Sequence, residues 1–457
     1  MDNTLRYMMW KRSQYLIFSI SLLLYFMQAE FVFFLLLELI YILFLLYRFK
    51  IDISSGFPLG IIVASVFIIE NCLAPTLIYL WDRENAVTGA IYYLFVPIED
   101  YLPFAFLTAQ VILIGYDLIK VPSSEWIYFI KNIHQNIDIR TVYSLFVVGG
   151  IGLLLQTFNI NAISFVSYTL SNLFVCGLIG LAIYYKKVNN IYLILGLTLQ
   201  IISSIRTGMF GSLVVFLSYV SIIVLLILVS QNRKINWGLI LLGGFVAVLF
   251  IGVLQNVKSD YREQTWSGTK EAGSGSFYES VRKNVNNDVT DIEYYMPAIY
   301  RLNQGYLVSA TMIKVPSEQP YVMGETIINS IANSLIPRFL YPTKEEAGGR
   351  EKIARFTNLT LVGNTSMNIG LLGEAYVNFG KEISIIFFLL WGAVLALAER
   401  KMLVFSKTNP VIILVFPLFF QVLLGTGTDF LYVINTIVKS TLIILLLFTF
   451  FRIKGKI

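Results

Sequence analysis

Long apolar stretches separated by short polar segments make up most of the 457-residue chain. An α-helix needs about 17–25 residues to cross about 30 Å of hydrocarbon, and twelve stretches approach or reach that length. The pattern therefore predicts an all-α polytopic membrane protein. The predicted spans are 13–29, 31–47, 57–80, 91–118, 140–158, 162–185, 189–205, 208–230, 236–256, 380–399, 409–426 and 430–451.

Two places among these spans have unusual polar residues. The first two spans share a tight hairpin at residues 28–30, and the fourth contains Pro97 and Pro103 with Glu99 and Asp100 between them. Proline removes a helical hydrogen bond and clashes with the preceding turn. We therefore expect the outer end of the fourth span to be unwound or bent.

Basic residues lie mainly on one side of the predicted spans. Eighteen Lys and Arg fall in the segments on the side of the N-terminus, whereas the five short turns opposite hold only Arg83 and Arg206. Cytoplasmic segments of membrane proteins are enriched in Lys and Arg, so both termini are predicted to be inside.

One polar interval is far longer than the others, and the predicted orientation places it outside. It divides the chain into residues 1–256 with nine spans, an extracytoplasmic loop at 257–379, and residues 380–457 with three spans. A loop of that length is usually functional. Its segments near 277–310 and 321–340 are predicted to be amphipathic helices on the outer membrane face.

Composition excludes several classes of protein. Apolar residues make up 57% of the chain and charged residues 14%, with a mean hydropathy of +0.72, which rules out a soluble enzyme or a disordered regulator. Cys72 and Cys176 lie inside apolar runs, so no disulfide is expected. The net charge of +6 follows from the inner basic residues and does not require a nucleic-acid partner.

Nucleotide and metal chemistry are also disfavoured. The chain has no P-loop, no Gly-x-Gly-x-x-Gly, and no Asp-x-Asp pair suited to a nucleotide-sugar metal site. The only histidine, His134, falls in a predicted inner loop, away from the other polar clusters, and is interpreted as a packing residue. No cofactor or metal is predicted.

Three ionisable residues fall deep inside predicted spans: Glu38, Glu70 and Lys439. A charge in the bilayer centre costs at least about 2.5–3.5 kcal/mol on insertion scales. Glu70 and Lys439 are predicted at similar depth, so they could form a buried ion pair that orders the bundle. The alternative is a proton or ion pathway.

Cations at the predicted outer rim point to a phosphate ligand. If the ninth span continues as helix, Lys258 and Arg262 share one face of it at i,i+4 spacing. Guanidinium groups hold phosphate oxygens in bidentate fashion, which suits a lipid-linked phosphate or pyrophosphate, although solvated surface charge is the alternative for each residue. The cations are Arg206, Lys258, Arg262, Arg301, Arg338, Lys344 and Arg350.

A polar stripe precedes the tenth span. Ser366, Gly370, Glu374 and Asn378 follow one another at i,i+4 spacing, which is typical of a cavity lining or of a close helix contact. Glu374 would be a carboxylate in apolar surroundings at the outer surface, a setting that suits a general base. Other carboxylates that compete for this role are Glu99, Asp100, Glu351 and Asp429.

Segments around the long loop resemble bacterial O-antigen and capsule repeat-unit polymerases of the Wzy type. The resemblance covers roughly residues 200–400. The similar segments are QNVKSDYR (255–262), RLNQGYLVSATMIKVPSEQPYVMGET (301–326), LIPRFLYPTK (335–344), TSMNIGLLGEAYVNFG (365–380), and SSIRTGMFG (203–211) as an arginine-bearing outer turn.

This resemblance implies a multi-span, lipid-dependent, metal-independent glycosyltransferase in the bacterial cytoplasmic (inner) membrane. It would join oligosaccharide repeat units carried on undecaprenyl diphosphate, as donor and as acceptor, at the outer face. The glycan would pass from its lipid diphosphate to a hydroxyl of the next unit. A chain-length regulator is the implied protein partner, besides membrane lipid. Related ligases favour a histidine in the outer loop, and this chain has none there.

The resemblance, together with the residue pattern, assigns roles within this loop. The expected catalytic residues are Arg206, Arg338 and Glu374, and the expected substrate-binding residues are Lys258, Arg262, Arg301, Lys344 and Arg350. Tyr261, Trp266 and Tyr376 could stack on sugar rings or anchor the chain at the interface.

Three other functions remain open. A lipid-linked oligosaccharide flippase or transporter would gather its charges in a central cavity reachable from both faces. An O-antigen-ligase-like glycosyltransferase or a non-catalytic assembly protein would share the same architecture.

Overall fold

The computed structural model describes residues 3–81, 92–157, 164–185, 191–207, 211–266, 274–285, 291–336, 349–361, 366–423 and 425–453. These ranges are almost entirely helical and contain no strand. The helices are α1 (Asn3–Phe26), α2 (Phe31–Asp52), α3 (Leu59–Ile68), α4 (Ala74–Trp81), α5 (Ile98–Leu118), α6 (Ser124–Lys131), α7 (Ile133–Asn136), α8 (Ile139–Thr157), α9 (Ser164–Tyr185), α10 (Ile191–Thr207), α11 (Gly211–Ser230), α12 (Trp237–Trp266), α13 (Ser274–Val285), α14 (Met296–Leu302), α15 (Gly305–Lys314), α16 (Glu325–Leu335), α17 (Arg350–Phe356), α18 (Gly370–Ser406), α19 (Val411–Phe420) and α20 (Phe430–Ile453).

The chain is a membrane protein, as its hydropathy pattern predicts. Large apolar side chains are exposed along the outside of helices such as α12, where Leu239 is 64% and Leu242 57% exposed. Such surfaces are stable only against lipid. Within the described ranges, six helices are long and apolar enough to cross a membrane: Phe31–Asp52, Leu59–Trp81, Ile98–Leu118, Val166–Tyr185, Trp237–Tyr261 and Gly370–Ser406.

Shorter apolar helices account for other predicted spans. They are Ile139–Leu155, Ile191–Ile202, Phe216–Ser230, Val411–Leu423 and Phe430–Leu446. The all-helical membrane architecture is therefore confirmed, while the number of twelve spans and their orientation stay predictions.

Two helix ends differ from a simple span pattern. Residues 92–97 are not helical and α5 begins directly after Pro97, as expected for an unwound outer end, but Pro103 lies inside the helix without ending it. The helix α12 runs on to Trp266, ten residues beyond the predicted span end at 256. Lys258 and Arg262 therefore do lie on one continuous helix.

The core of the bundle is the contact between α5 and α18. A Cβ atom at Gly115 would lie 1.9 Å from the carbonyl oxygen of Leu389, and one at Gly392 would lie 2.0 Å from that of Ile112. Only glycine allows two helix backbones to approach this closely. The side chains of α5 are buried along most of its length.

The helix α18 changes direction at Gly380, where φ is 73° and ψ is −174°. This conformation is open essentially to glycine alone. The kink separates a short segment, residues 370–379, from the longer apolar segment that follows. The predicted start of the tenth span at residue 380 falls on this kink.

The long loop is only partly a surface structure. Residues 305–311 of α15 are all buried, and α15 packs against α18, α4 and the π-helical turn Ile69–Leu73 between α3 and α4. The prediction of surface helices is therefore wrong for α15. Its small and apolar residues instead fill a space inside the bundle.

The helix α16 lies against α20 with its polar side inward. Thr326, Ser330, Asn333 and Ser334 are buried, whereas its apolar residues are exposed, with Ile328 at 65% and Leu335 at 63%. A helix on a protein surface in water has the opposite orientation. The apolar side of α16 therefore matches a lipid surrounding.

Candidate functional site

Three charged side chains meet inside the bundle, and we call them the ionic cluster: Lys352, Glu374 and Asp429. The Nζ atom of Lys352 lies 2.7 Å from Oε1 of Glu374 and 3.2 Å from Oδ2 of Asp429. Lys352 is 4% exposed and both carboxylates are fully buried. The cluster joins α17 of the long loop to α18 and to the beginning of α20.

The N-terminus of α20 stabilises the two carboxylates. Asp429 accepts a hydrogen bond from the backbone N–H of Tyr432 at 2.8 Å, as an N-cap residue does. Glu374 accepts one from the N–H of Phe430, also at 2.8 Å. With both carboxylates ionised, two negative charges face one lysine, and the positive end of the helix dipole offsets part of the excess.

Asn378 links the ionic cluster to α16. Its Nδ2 atom donates to the carbonyl oxygen of Glu374 at 2.6 Å and to Oγ1 of Thr326 at 2.7 Å. The polar side of α16 thus continues the polar interior. Gly370, Glu374 and Asn378 are all buried on one face of α18, whereas Ser366 precedes the helix.

A second polar group lies where the chain between α19 and α20 is not helical. Glu70 accepts hydrogen bonds from the backbone N–H and the Oγ1 hydroxyl of Thr426 at 2.6 and 2.7 Å. Asn71 donates to the same hydroxyl oxygen at 2.7 Å. Glu70 and Asn71 lie in the π-helical turn Ile69–Leu73, and π-helical turns are frequent at functional sites. Glu70, predicted to pair with Lys439 or to conduct ions, is thus held by Thr426.

Four tyrosines pack together at the same end of the bundle, and we call them the tyrosine cluster: Tyr92, Tyr93, Tyr300 and Tyr306. Tyr93 and Tyr306 are buried, whereas Tyr92 and Tyr300 are half-buried. Tyr92 stacks on Tyr300 with ring centroids 5.9 Å apart and meets Tyr306 edge-on at 5.1 Å. The hydroxyls of Tyr93 and Tyr300 are 3.4 Å apart. Sugar rings bind to aromatic faces of this kind.

Arg301 lies beside the tyrosine cluster in the last turn of α14 and is exposed. Burial raises the pKa of Tyr306, the neighbouring Tyr92 raises it further, and the positive charge of Arg301 acts against both. Tyr306 therefore keeps its proton at neutral pH, and its hydroxyl donates to Sδ of Met367 at 3.2 Å. The arrangement places a cation and a phenol donor next to stacked rings.

Two of the predicted cations, Lys258 and Arg301, lie on helices that pack against each other, whereas Arg350 lies on another helix. The helix α12, which carries the buried Lys258, packs against α14, which carries Arg301. Arg350 is exposed on α17 and donates to the carbonyl oxygen of Leu361 at 3.0 Å, so it points away from Lys352 on the same helix.

The side chains of four predicted cations lie outside the described part of the structure. Arg206 lies in the last turn of α10 and Arg262 in α12, but only their backbones are described. Arg338 and Lys344 lie outside the described residues.

Glu374 is not the surface carboxylate that the sequence predicts. Lys352 and the N–H of Phe430 occupy its two oxygens, and the side chain is fully buried. Among the competing carboxylates, Asp429 is buried in the same cluster, whereas Glu99, Asp100 and Glu351 are exposed. An accessible base at this end of the bundle is therefore more readily found among the latter three.

Two of the three aromatic residues singled out in the sequence, Tyr261 and Tyr376, are buried. Tyr261 is 1% exposed and packs edge-on against Phe277, and Tyr376 is 4% exposed with its hydroxyl bound to the carbonyl oxygen of Val315. The side chain of Trp266 lies outside the described residues. His134, expected to be a packing residue, meets the ring of Tyr184 edge-on at 4.2 Å.

The site residues predicted from the sequence did not include Lys352 or the tyrosine cluster. A signal for Asp429 as a helix start is present, since Gly, Thr and Asp precede an apolar run in TGTDFLYV. The adjacent pair Tyr92–Tyr93 at the end of a span was a signal for interfacial aromatics. No pattern indicated that Lys352 would turn inward. No group of three metal-ligating side chains occurs in the described parts of the chain.

Comparison with known proteins gives a family. The family described as "Domain of unknown function (DUF8712)" matches residues 118–457, which is most of the chain. The match includes Arg301, the ionic cluster and Thr426, but not Glu70 or the loop that carries Tyr92. No curated protein and no solved structure matches the chain significantly.

Proposed function

We propose that the chain, which belongs to the DUF8712 family, is a polymerase of lipid-linked oligosaccharides in a bacterial cytoplasmic membrane. It joins repeat units carried on undecaprenyl diphosphate at the outer face of that membrane, without metal or nucleotide. The proposal rests on the sequence resemblance to Wzy-type polymerases and on the chemistry available at the tyrosine cluster.

The observation that carries the proposal is the tyrosine cluster beside Arg301. Stacked phenol rings offer apolar faces and hydroxyl groups to a sugar, as Tyr92 and Tyr300 do at 5.9 Å. A guanidinium group next to them suits a phosphate. A ligand that contains sugar and diphosphate in one molecule would use both, and the lipid-facing helices around the bundle would accommodate its polyprenyl chain.

The reaction requires no external energy source, because the lipid diphosphate is already an activated leaving group. An acceptor hydroxyl oxygen attacks the anomeric carbon of the donor glycan, the bond between that carbon and the diphosphate breaks, and undecaprenyl diphosphate departs. Cations stabilise the charge that develops on the diphosphate. We assign this role to Arg301 with Lys258, and to Arg206, Arg262, Arg338, Lys344 and Arg350 as the sequence predicts.

The proton of the acceptor hydroxyl requires an accessible carboxylate. Glu99, Asp100 and Glu351 are exposed and meet this condition. Glu374 is assigned a positioning role instead, because Lys352 and Phe430 already occupy its oxygens. The ionic cluster then fixes α17 and the start of α20 relative to α18.

One observation favours transport as a second candidate. The regular α-helix is interrupted within the span Leu59–Trp81 by the π-helical turn Ile69–Leu73, where Glu70 and the buried Asn71 bind Thr426 inside the bundle. Interrupted helices with buried polar groups are typical of transporter substrate sites. A flippase for lipid-linked oligosaccharides would use the same substrate class.

The test is a reconstitution with purified protein in nanodiscs. Lipid-diphosphate-linked repeat units are supplied with EDTA and without nucleotide, and the products are separated on a gel. A ladder of longer glycans is expected. Arg301→Gln should slow its formation about 100-fold, and Tyr300→Ala should weaken it as well.

Matched controls are available on α13 of the same loop. Arg282 and Tyr278 are exposed there, so Arg282→Gln and Tyr278→Ala should leave the ladder unchanged. If Arg301→Gln still forms the ladder at the wild-type rate, the protein is a polymerase but the proposed role of Arg301 is wrong. If no ladder forms and the substrate instead crosses the membrane of sealed vesicles, the protein is a flippase and the polymerase proposal is wrong.

A further inference from the structure

At the end of the bundle opposite the tyrosine cluster, a cavity of about 1370 Å³ plays no part in the proposed reaction. Four separate chain segments line it: α1, the α2–α3 connection, the residues after α5, and the α11–α12 connection. The helix α5 leads about 30 Å from Ile98, next to the tyrosine-bearing loop, to Leu118 at the cavity. We call it the basic cavity.

The charge of the lining is unbalanced. Its cations are Lys11, Arg48, Lys50, Lys120, Arg233 and Lys234, and its only acidic residues are Asp52 and Asp117. Arg48 pairs with both aspartates. Within the described chain, the exposed Lys120, Arg233 and Lys234 have no acidic partner. The cavity therefore holds positive charge that the protein itself does not neutralise.

A rigid ion pair forms one wall. The guanidinium of Arg48 donates to the two carboxylate oxygens of Asp117 at 2.5 and 2.6 Å, and to Gln14 at 3.0 Å. It also lies 3.6 Å from the ring centroid of Trp10. Arg48 is 3% exposed. These contacts tie α1, α2 and α5 together, so the cavity is preformed and does not depend on mobile surface lysines alone.

The remaining lining combines apolar and aromatic side chains with the polar Ser54, Ser55, Ser123 and Asn232. Leu118 and Val229 contribute aliphatic surface, and the Nζ atom of Lys50 lies 5.7 Å from the ring centroid of Trp237. A cavity with apolar walls and unpaired cations matches a molecule that has an acyl chain and a negatively charged head. A small soluble anion would leave the apolar wall without a function.

We propose that the basic cavity binds the phosphate of an anionic membrane lipid. Lys120, Arg233 and Lys234 contact the phosphate, and Leu118 and Trp237 contact the adjoining acyl chain. The cavity lies at the ends of membrane-crossing helices, where lipid phosphates are found, and basic pockets between such helices bind anionic headgroups. The inference does not depend on the proposed polymerase activity.

Brominated lipids provide the test, because bromine on an acyl chain quenches nearby tryptophan. Two of the six tryptophans, Trp10 and Trp237, line the cavity. Brominated phosphatidylglycerol should quench the purified protein at a lower mole fraction than brominated phosphatidylcholine. Each removed cation should weaken this preference about fivefold, so Arg233→Gln/Lys234→Gln and, on another segment, Lys120→Gln should both reduce it. Trp237→Phe should remove much of the difference in quenching between the two lipids, because Trp81, which is 55% exposed on a membrane-crossing helix, is open to lipid of either kind.

The matched control is Arg400→Gln/Lys401→Gln, which removes two exposed cations at the end of α18 outside the cavity. It should keep the full preference. If the control loses the preference for phosphatidylglycerol as strongly as the cavity variants, or if the cavity variants keep it, the proposed site is wrong. General surface charge would then explain any preference for the anionic lipid. Competition by millimolar inorganic phosphate or glycerol phosphate would overturn the lipid assignment in favour of a soluble phosphate ligand.

Discussion

At the scale of single residues, the ionic cluster is the most constrained part of the molecule. Lys352 lies between Glu374 and Asp429, at 2.7 and 3.2 Å, and all three side chains are buried. Removing one partner of a buried ion pair leaves an uncompensated charge in a low-dielectric environment. The two carboxylates therefore depend on Lys352 much more than they depend on any exposed cation of the loop.

Lys352→Met is expected to lower the free energy of unfolding by about 3–5 kcal/mol, because two carboxylates would then face each other without a cation. Thermal unfolding of the purified protein in detergent measures this. The control is Arg350→Gln, an exposed neighbour on α17, which should change little. Adding Glu374→Gln and Asp429→Asn to Lys352→Met should recover part of the loss. A Lys352→Met protein that unfolds like the wild type would contradict the role of the cluster.

At the scale of elements, α16 and α17 are joined by an ion pair outside the bundle. Arg355 donates to the two oxygens of Glu325 at 2.7 and 3.1 Å, and both side chains are partly exposed. The hydrogen bond from Arg355 lowers the pKa of Glu325, slight burial opposes this, and the charge of Arg355 adds to the lowering. Solvent screens this pair, so its contribution is modest.

The pair should stabilise the contact between α16 and α17 only while Glu325 is ionised. The folded-state pKa is below the ordinary Glu value of about 4.3, so the contribution is complete above that value and is lost as the pH falls through the lowered pKa. Amide exchange of α17 in the wild type and in Glu325→Gln checks this. The variant should exchange faster at pH 7, and the difference should vanish at strongly acidic pH. A difference independent of pH would exclude the ion pair as its cause.

The elements themselves were largely predictable from sequence, but their partners were not. Apolar runs gave α20 to within two residues, the start of α2 and the end of α5, because helices in lipid must be long and apolar, whereas the start of α5 lies seven residues after the predicted one. The ionic cluster was not predictable, since Lys352 and Asp429 are 77 residues apart and nothing local marks the pairing. The inward orientation of the polar side of α16 was not predictable either, because an amphipathic pattern does not determine which side of the helix packs against the protein.

At the scale of the whole molecule, two chemically different sites lie at opposite ends of α5. The tyrosine cluster with Arg301 is at one end, and the basic cavity is at the other. The distribution of Lys and Arg predicts that the cavity end is cytoplasmic. The two proposals thus place a sugar site at one end of the membrane-crossing bundle and a lipid-phosphate site at the other.

Cysteine labelling tests this orientation. Tyr278→Cys on α13 should react with a membrane-impermeant maleimide on intact cells, whereas Lys401→Cys on α18 should react only after permeabilisation. Both positions are exposed, and the native Cys72 and Cys176 are buried, so they should contribute little background. Reaction of both positions from the same side would overturn the predicted topology.

The connection between the loop and the last helix also constrains how the protein is made. Synthesis proceeds from the N-terminus, so Lys352 leaves the ribosome long before Asp429 and the N–H of Phe430, which complete its surroundings. Until α20 has been inserted, the loop lacks its anchoring partner inside the bundle. We therefore expect a chain truncated before residue 430 to keep most of its membrane-crossing helices but to leave the loop without this anchor.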